Sequence, residues 1–118
     1  MQNGVTVERD DTFTDEPIAS TAIATSDTIN IQKSKDISIH IKATSAGVVN
    51  LLVEFLGSPV DVVADFAKPV TYEDISVTVE TPIFSYISIP ATRYLRVRIT
   101  GQAGNDASTT VTAYVQHS

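Results

Sequence analysis

Apolar and polar residues alternate with a period of two along most of this chain, the spacing that turns one face of an extended strand inward and the other toward solvent. Thr28–Gln32 places Ile29 and Ile31 on one face. Asp36–Ala43 aligns Ile37, Ile39, Ile41 and Ala43 against Ser38, His40 and Lys42, and the polar Lys33-Ser34-Lys35-Asp36 stretch between these runs predicts a hairpin. Val48–Leu56 is apolar on both sides, with Val49, Leu51, Val53 and Phe55 on one face and Val48, Leu52 and Leu56 on the other. Such a run predicts a central strand, or one whose outer face is covered by a partner. Val60–Phe66 reads as a further strand, although its spacing also fits a short helix. Asp74–Glu80, Ile83–Ile89, Arg93–Thr100 and Ser108–Gln116 complete the series, and the last two are predicted to pair as a hairpin across the turn-rich stretch from Gly101 to Asp106.

The start of the chain reads differently. Residues 1–16 hold only Val5, Val7 and Phe13 among polar and acidic side chains, which predicts an extended N-terminal arm with one edge strand at Gly4–Arg9. Too little apolar surface is present to offset the backbone ordering of the arm, about 1–2 kcal/mol per residue. It is therefore expected either to order against a neighbour by strand addition or to be a disordered tail, and its removal to leave the remainder folded. Residues 17–118 form one domain, with a weak edge strand somewhere in Ile18–Ser26. Eight or so short strands with turns every 8–12 residues predict an all-β, antiparallel β-sandwich, a jelly roll in its simplest arrangement, with a barrel as the alternative.

Composition agrees with strands. The chain holds 14 Val, 12 Ile and 15 Thr against 4 Leu, and β-branched side chains fit a pleated surface better than a helix. With no cysteine, neither disulfides nor thiolate sites are available. A net charge of −6 argues against nucleic acid as a partner. The first residues lack a basic start and an apolar run, and no stretch is apolar over the roughly 18 residues of a membrane span, so no secretion signal and no membrane partner are expected.

Candidate chemistry is sparse. Nucleophilic catalysis needs a base beside Ser, Thr or Cys, and the two histidines are His40, outward between Ser38 and Lys42, and the penultimate His117. Asp61 and Asp65 share a strand face, but no calcium-loop spacing accompanies them. The reading is a non-enzyme with no cofactor and no metal. Tyr94 and Tyr114 fall on the outward faces of the two strands expected to pair, where they form either a sugar-stacking platform or a cross-strand aromatic pair. Arg96 and Arg98 point the same way as Tyr94, as a docking face or as counter-charges for Asp61 and Asp65. The candidate interface is Val5, Val7, Phe13, Val48, Leu52, Leu56, Tyr94, Arg96 and Arg98.

The segment Pro90-Ala91-Thr92-Arg93-Tyr94-Leu95-Arg96-Val97-Arg98-Ile99-Thr100-Gly101, with the Thr-rich run Ser108–Gln116, resembles the closing hairpin of small β-sandwich virion proteins of tailed bacteriophages. Similar strands close discoidin-like carbohydrate-binding sandwiches. The first resemblance implies a capsid decoration, head-fibre or tail-associated subunit, assembled in the host cytoplasm and carried on the virion. Such a subunit binds itself, with a trimer as the expected oligomer, and the major capsid or other virion proteins. The second implies a carbohydrate-binding or adhesion module, but those sandwiches usually carry Trp platforms and this chain has no Trp.

Overall fold

Burial alternates residue by residue along the longest strands, and the buried sets face one another across a single core. The computed structural model describes residues 8–32, 34, 36–68, 74–87 and 92–118. Among these residues nine strands run in chain order: β1 (Glu8–Pro17), β2 (Ile23–Thr25), β3 (Ile29–Asn30), β4 (Ile37–Thr44), β5 (Leu51–Ser58), β6 (Ile75–Val77), β7 (Ile83–Tyr86), β8 (Tyr94–Gly101) and β9 (Thr110–His117). They form two sheets, every pair antiparallel. One has the order β1-β9-β4-β7 and the other β2-β8-β5-β6, with β3 also pairing β8.

β2 and β3 both lie on the side of β8 away from β5, β2 against Arg98–Thr100 and β3 against Tyr94 and Leu95. They are two halves of one edge strand. Ser26 bridges the gap, its N–H donating to the Val97 carbonyl (2.8 Å) and its hydroxyl oxygen accepting from the Val97 N–H (2.9 Å). Counted this way the described residues form eight strands, and all successive strands except β5 and β6, which pair with each other, cross from sheet to sheet in the double Greek-key order of a jelly roll. The predicted all-β, antiparallel sandwich is the fold.

The core is filled by Ile39, Ile41 and Ala43 of β4 and Val111, Ala113 and Val115 of β9, packed against Leu51, Val53 and Phe55 of β5 and Leu95, Val97 and Ile99 of β8. All are nearly inaccessible to solvent. Branched residues at every second position on both inner faces suit this layer packing.

Three local expectations need correction. The runs around Ile29–Ile31 and Ile37–Ala43 do not form a hairpin, nor do β8 and β9: each pair is split between the two sheets. Each strand of these pairs carries a buried face, and the faces meet across the core rather than lying side by side. Asn105 holds the β8–β9 crossing. Its amide donates to the Ile18 carbonyl (2.7 Å) and its side-chain oxygen accepts from the Asn50 N–H (2.9 Å). Val60–Phe66 is not a strand. The Ser58 hydroxyl accepts from the Val60 N–H and donates to the Val60 carbonyl, reversing the chain into a single 3-10 turn, Val63–Asp65. The chain then returns along β5, where Gly57 and Ala67 exchange backbone hydrogen bonds.

The expected arm also changes. Residues 8–16 pair with the chain's own β9, through irregularities on either side of Phe13, and Phe13 is only 6% exposed within the core cluster. One anchoring ring and an open edge on β9 supply what composition alone does not. Val5 and Val7 lie outside the described residues. Among the described residues no helix is long and apolar enough to cross a membrane.

Candidate interaction surface

The outer face of the β1-β9-β4-β7 sheet carries a row of rings that the register alone brings together. His40 on β4 lies opposite Phe84 on β7 and opposite Tyr114 on β9, and Tyr114 lies opposite Asp11 on β1. The His40 ring stacks on Tyr114 with centroids 4.9 Å apart and planes 4° apart, and meets Phe84 edge-on at 6.4 Å. The Arg9 guanidinium lies 4.0 Å from the Tyr114 centroid, a cation–π contact, and Arg9 Nε donates to the Asp11 carboxylate at 3.0 Å. A second row runs Tyr86, Ser38, Gln116, Arg9.

Phe84 and Tyr86 end these rows on β7, 59% and 76% exposed. Two large rings this open, side by side on one edge strand, form the kind of apolar patch that marks an interaction site. The rings cross from β7 to β9 as a continuous row, edge-on between Phe84 and His40 and stacked between His40 and Tyr114.

The opposite sheet presents a surface that its own chain already occupies. Glu54, 8% exposed, accepts from Arg98 at 3.0 Å and Lys68 at 3.3 Å, and Lys68 also bonds Asp74 at 2.7 Å. These carboxylates, Asp74 foremost, hold the Lys68 ammonium above its usual range. Arg96 Nε donates to the Thr28 hydroxyl (3.0 Å), which in turn donates to Asp61 (2.8 Å), and the Arg96 guanidinium lies 5.0 Å from the Phe66 ring centroid.

The predicted interface residues therefore scatter. Phe13 and Leu56 are buried in the chain's own fold, Leu56 on the row it shares with Arg96. Neither side chain is open to a neighbour. Leu52, Tyr94, Arg96 and Arg98 are half-buried on the outer face of the β8-β5 sheet, and Val48 is 64% exposed just ahead of β5. Arg98 serves as a counter-charge to Glu54 rather than to Asp61 or Asp65, while Arg96 reaches Asp61 through Thr28. Tyr94 and Tyr114 stand in different sheets and form no common platform. The platform is Tyr114 with His40, Phe84 and Tyr86.

One constellation joins residues far apart in the chain. His117, 5% exposed at the end of the core, bonds the Ser34 hydroxyl through Nδ1 (2.8 Å) and the Asp10 carboxylate through Nε2 (2.8 Å). In the neutral ring, Nε2–H donates to Asp10 and Nδ1 accepts from Ser34. The chain of bonds links a hydroxyl, an imidazole and a carboxylate, and the backbone around it is bonded as well, Ser34 N to the Ile31 carbonyl and Asp36 N to the Ser118 carbonyl. The arrangement ties β1 and the turn before β4 to the end of β9. Among the described residues no group of three or more His, Asp or Glu side chains is placed to hold a metal ion.

No family model matches this chain, and no curated protein does. Among solved structures, the subunit of Bacillus endospore appendages, which are disulfide-linked pili, aligns with a TM-score of 0.60 at 20% identity, over 99% of this chain and 92% of that one. A crystal structure of PirA aligns with a TM-score of 0.51 at 9% identity, over 98% and 95%. Both likenesses speak to the fold. Each covers nearly the whole of both chains.

Proposed function

We propose that this chain is a non-enzymatic structural subunit that assembles with copies of itself into a larger surface structure. The observation that carries the reading is the ring row ending in the exposed Phe84 and Tyr86, an apolar patch suited to another protein surface. The endospore appendage subunit, built on a similar sandwich, supports an assembling role. Those pili are disulfide-linked, and this chain has no cysteine, so its copies are held by non-covalent contacts. A virion component, with a capsid decoration subunit as its particular form, is the finer proposal that the resemblance of Pro90–Gly101 and Ser108–Gln116 supports.

Electron microscopy of concentrated protein tests the reading. The parent is expected to form multi-subunit particles, and Phe84→Ser with Tyr86→Ser to weaken assembly by at least about tenfold, the equivalent of roughly 1.4 kcal/mol. Unchanged particles in the double variant would remove the platform from the assembly. A second reading, carbohydrate binding, is favoured by the same two rings, because exposed aromatic faces stack on sugars. Its signature is glycan retention by the parent that the double variant loses.

A further inference from the structure

We propose that the loop Pro59–Phe66 of one copy docks on the β7 and β4 side of the ring platform of the next copy. This rests on the self-assembly reading and names the two surfaces that meet. The loop stands out from the sandwich: Val60, Val62 and Val63 are 44%, 52% and 69% exposed, around the single turn Val63–Asp65. Three solvent-facing valines on a loop braced at both ends form a firm apolar knob. The bracing is explicit, with Ser58 bonded to Val60, Thr28 to Asp61 and Ala67 to Gly57.

Charge selects the receiving surface. The loop carries Asp61 and Asp65 and no Lys or Arg between 59 and 66. β4 and β7 carry Lys42 and His40 and no Asp or Glu, and β9 is likewise free of carboxylates. Every carboxylate on the strands of that sheet belongs to β1, at the far edge from β7. In a chain of net charge −6, an exposed aromatic strip whose own strands hold a lysine and no acid, with Glu80 at its margin bonded to Ser45 N, is where an acidic, apolar knob meets little repulsion.

Geometry then decides the form of the assembly. The loop returns along β5, in the sheet opposite to the platform. A copy that inserts its knob into one neighbour keeps its own platform free for another. The contact is heterologous, uses a different surface on each partner, and propagates as a row or, if the rotation closes, a ring.

The test uses two full-length variants, Val62→Asp with Val63→Asp for the knob and Phe84→Asp with Tyr86→Asp for the platform. All four positions are exposed, and circular dichroism melting confirms that both variants fold. Each variant alone is expected to remain monomeric by light scattering. Mixed in equal amounts, they are expected to give a dimer and nothing larger, since one supplies an intact platform and the other an intact knob. If the knob variant assembles like the parent, or the mixture stays monomeric while the parent assembles, the docking is overturned and self-assembly stands on another contact. If the parent itself is monomeric at every concentration, both readings fall.

Discussion

A chain lacking residues 1–16 is expected to melt more than about 10 °C below the parent, or to lose cooperative melting altogether. The deletion removes most of β1 and with it Phe13, and taking a buried Phe ring out of a core costs about 3–5 kcal/mol. Domains of this size are stable by roughly 5–15 kcal/mol in all, and each kilocalorie shifts the midpoint by roughly 4 °C or more. The loss extends past one side chain. β9 becomes an edge along Thr110–His117, and His117, 5% exposed, loses Asp10. Circular dichroism melting checks this, with Phe13→Ala as the point version. A truncated chain that melts with the parent would show that β1 is dispensable, as its composition alone suggests.

Gly101→Ala is expected to be nearly as damaging, by about 3 kcal/mol. A Cβ at this position would lie 1.9 Å from the Ala19 carbonyl oxygen and 3.3 Å from Ile18 Cγ2. The clash is with backbone, so no rotamer change relieves it. That backbone is held in place by the strands it joins, because Gly101 N donates to the Ala22 carbonyl and Thr21 N to the Gly101 carbonyl, both at 2.8 Å. Overpacking a tight core position usually costs about 1–3 kcal/mol, and a contact that must part β8 from the segment ahead of β2 belongs at the upper end. The urea midpoint reports it. A midpoint equal to the parent's would mean that residues 19–22 yield freely.

Most of the strands were legible in the alternation, because a half-buried strand must repeat every second residue. Ile39, Ile41 and Ala43, and Val111, Ala113 and Val115, are buried as that period requires. Partnership was not legible. Alternation marks a buried face without saying whether the neighbour lies beside the strand or across the core, and short connections such as Gly101–Thr109 read as hairpins although they pass between sheets. β1 was hidden by its polarity, since one ring and a waiting edge stabilise it.

The ring platform was half legible. Ile83, Ser85 and Ile87 alternate with Phe84 and Tyr86, but the outward tyrosines that the sequence singles out are Tyr94 and Tyr114, of which only Tyr114 belongs to the row. What the alternation lacked was the register that sets His40 and Tyr114 beside Phe84 and Tyr86. Asp10, Ser34 and His117 gave no signal at all, because only the closing of the sandwich end unites positions so distant along the chain.

Sedimentation velocity from micromolar to millimolar concentration tests the central claim most directly. A self-assembling subunit predicts a boundary that moves from the 12.7 kDa monomer to multiples of that mass as concentration rises. A single 12.7 kDa boundary across the whole range would contradict it.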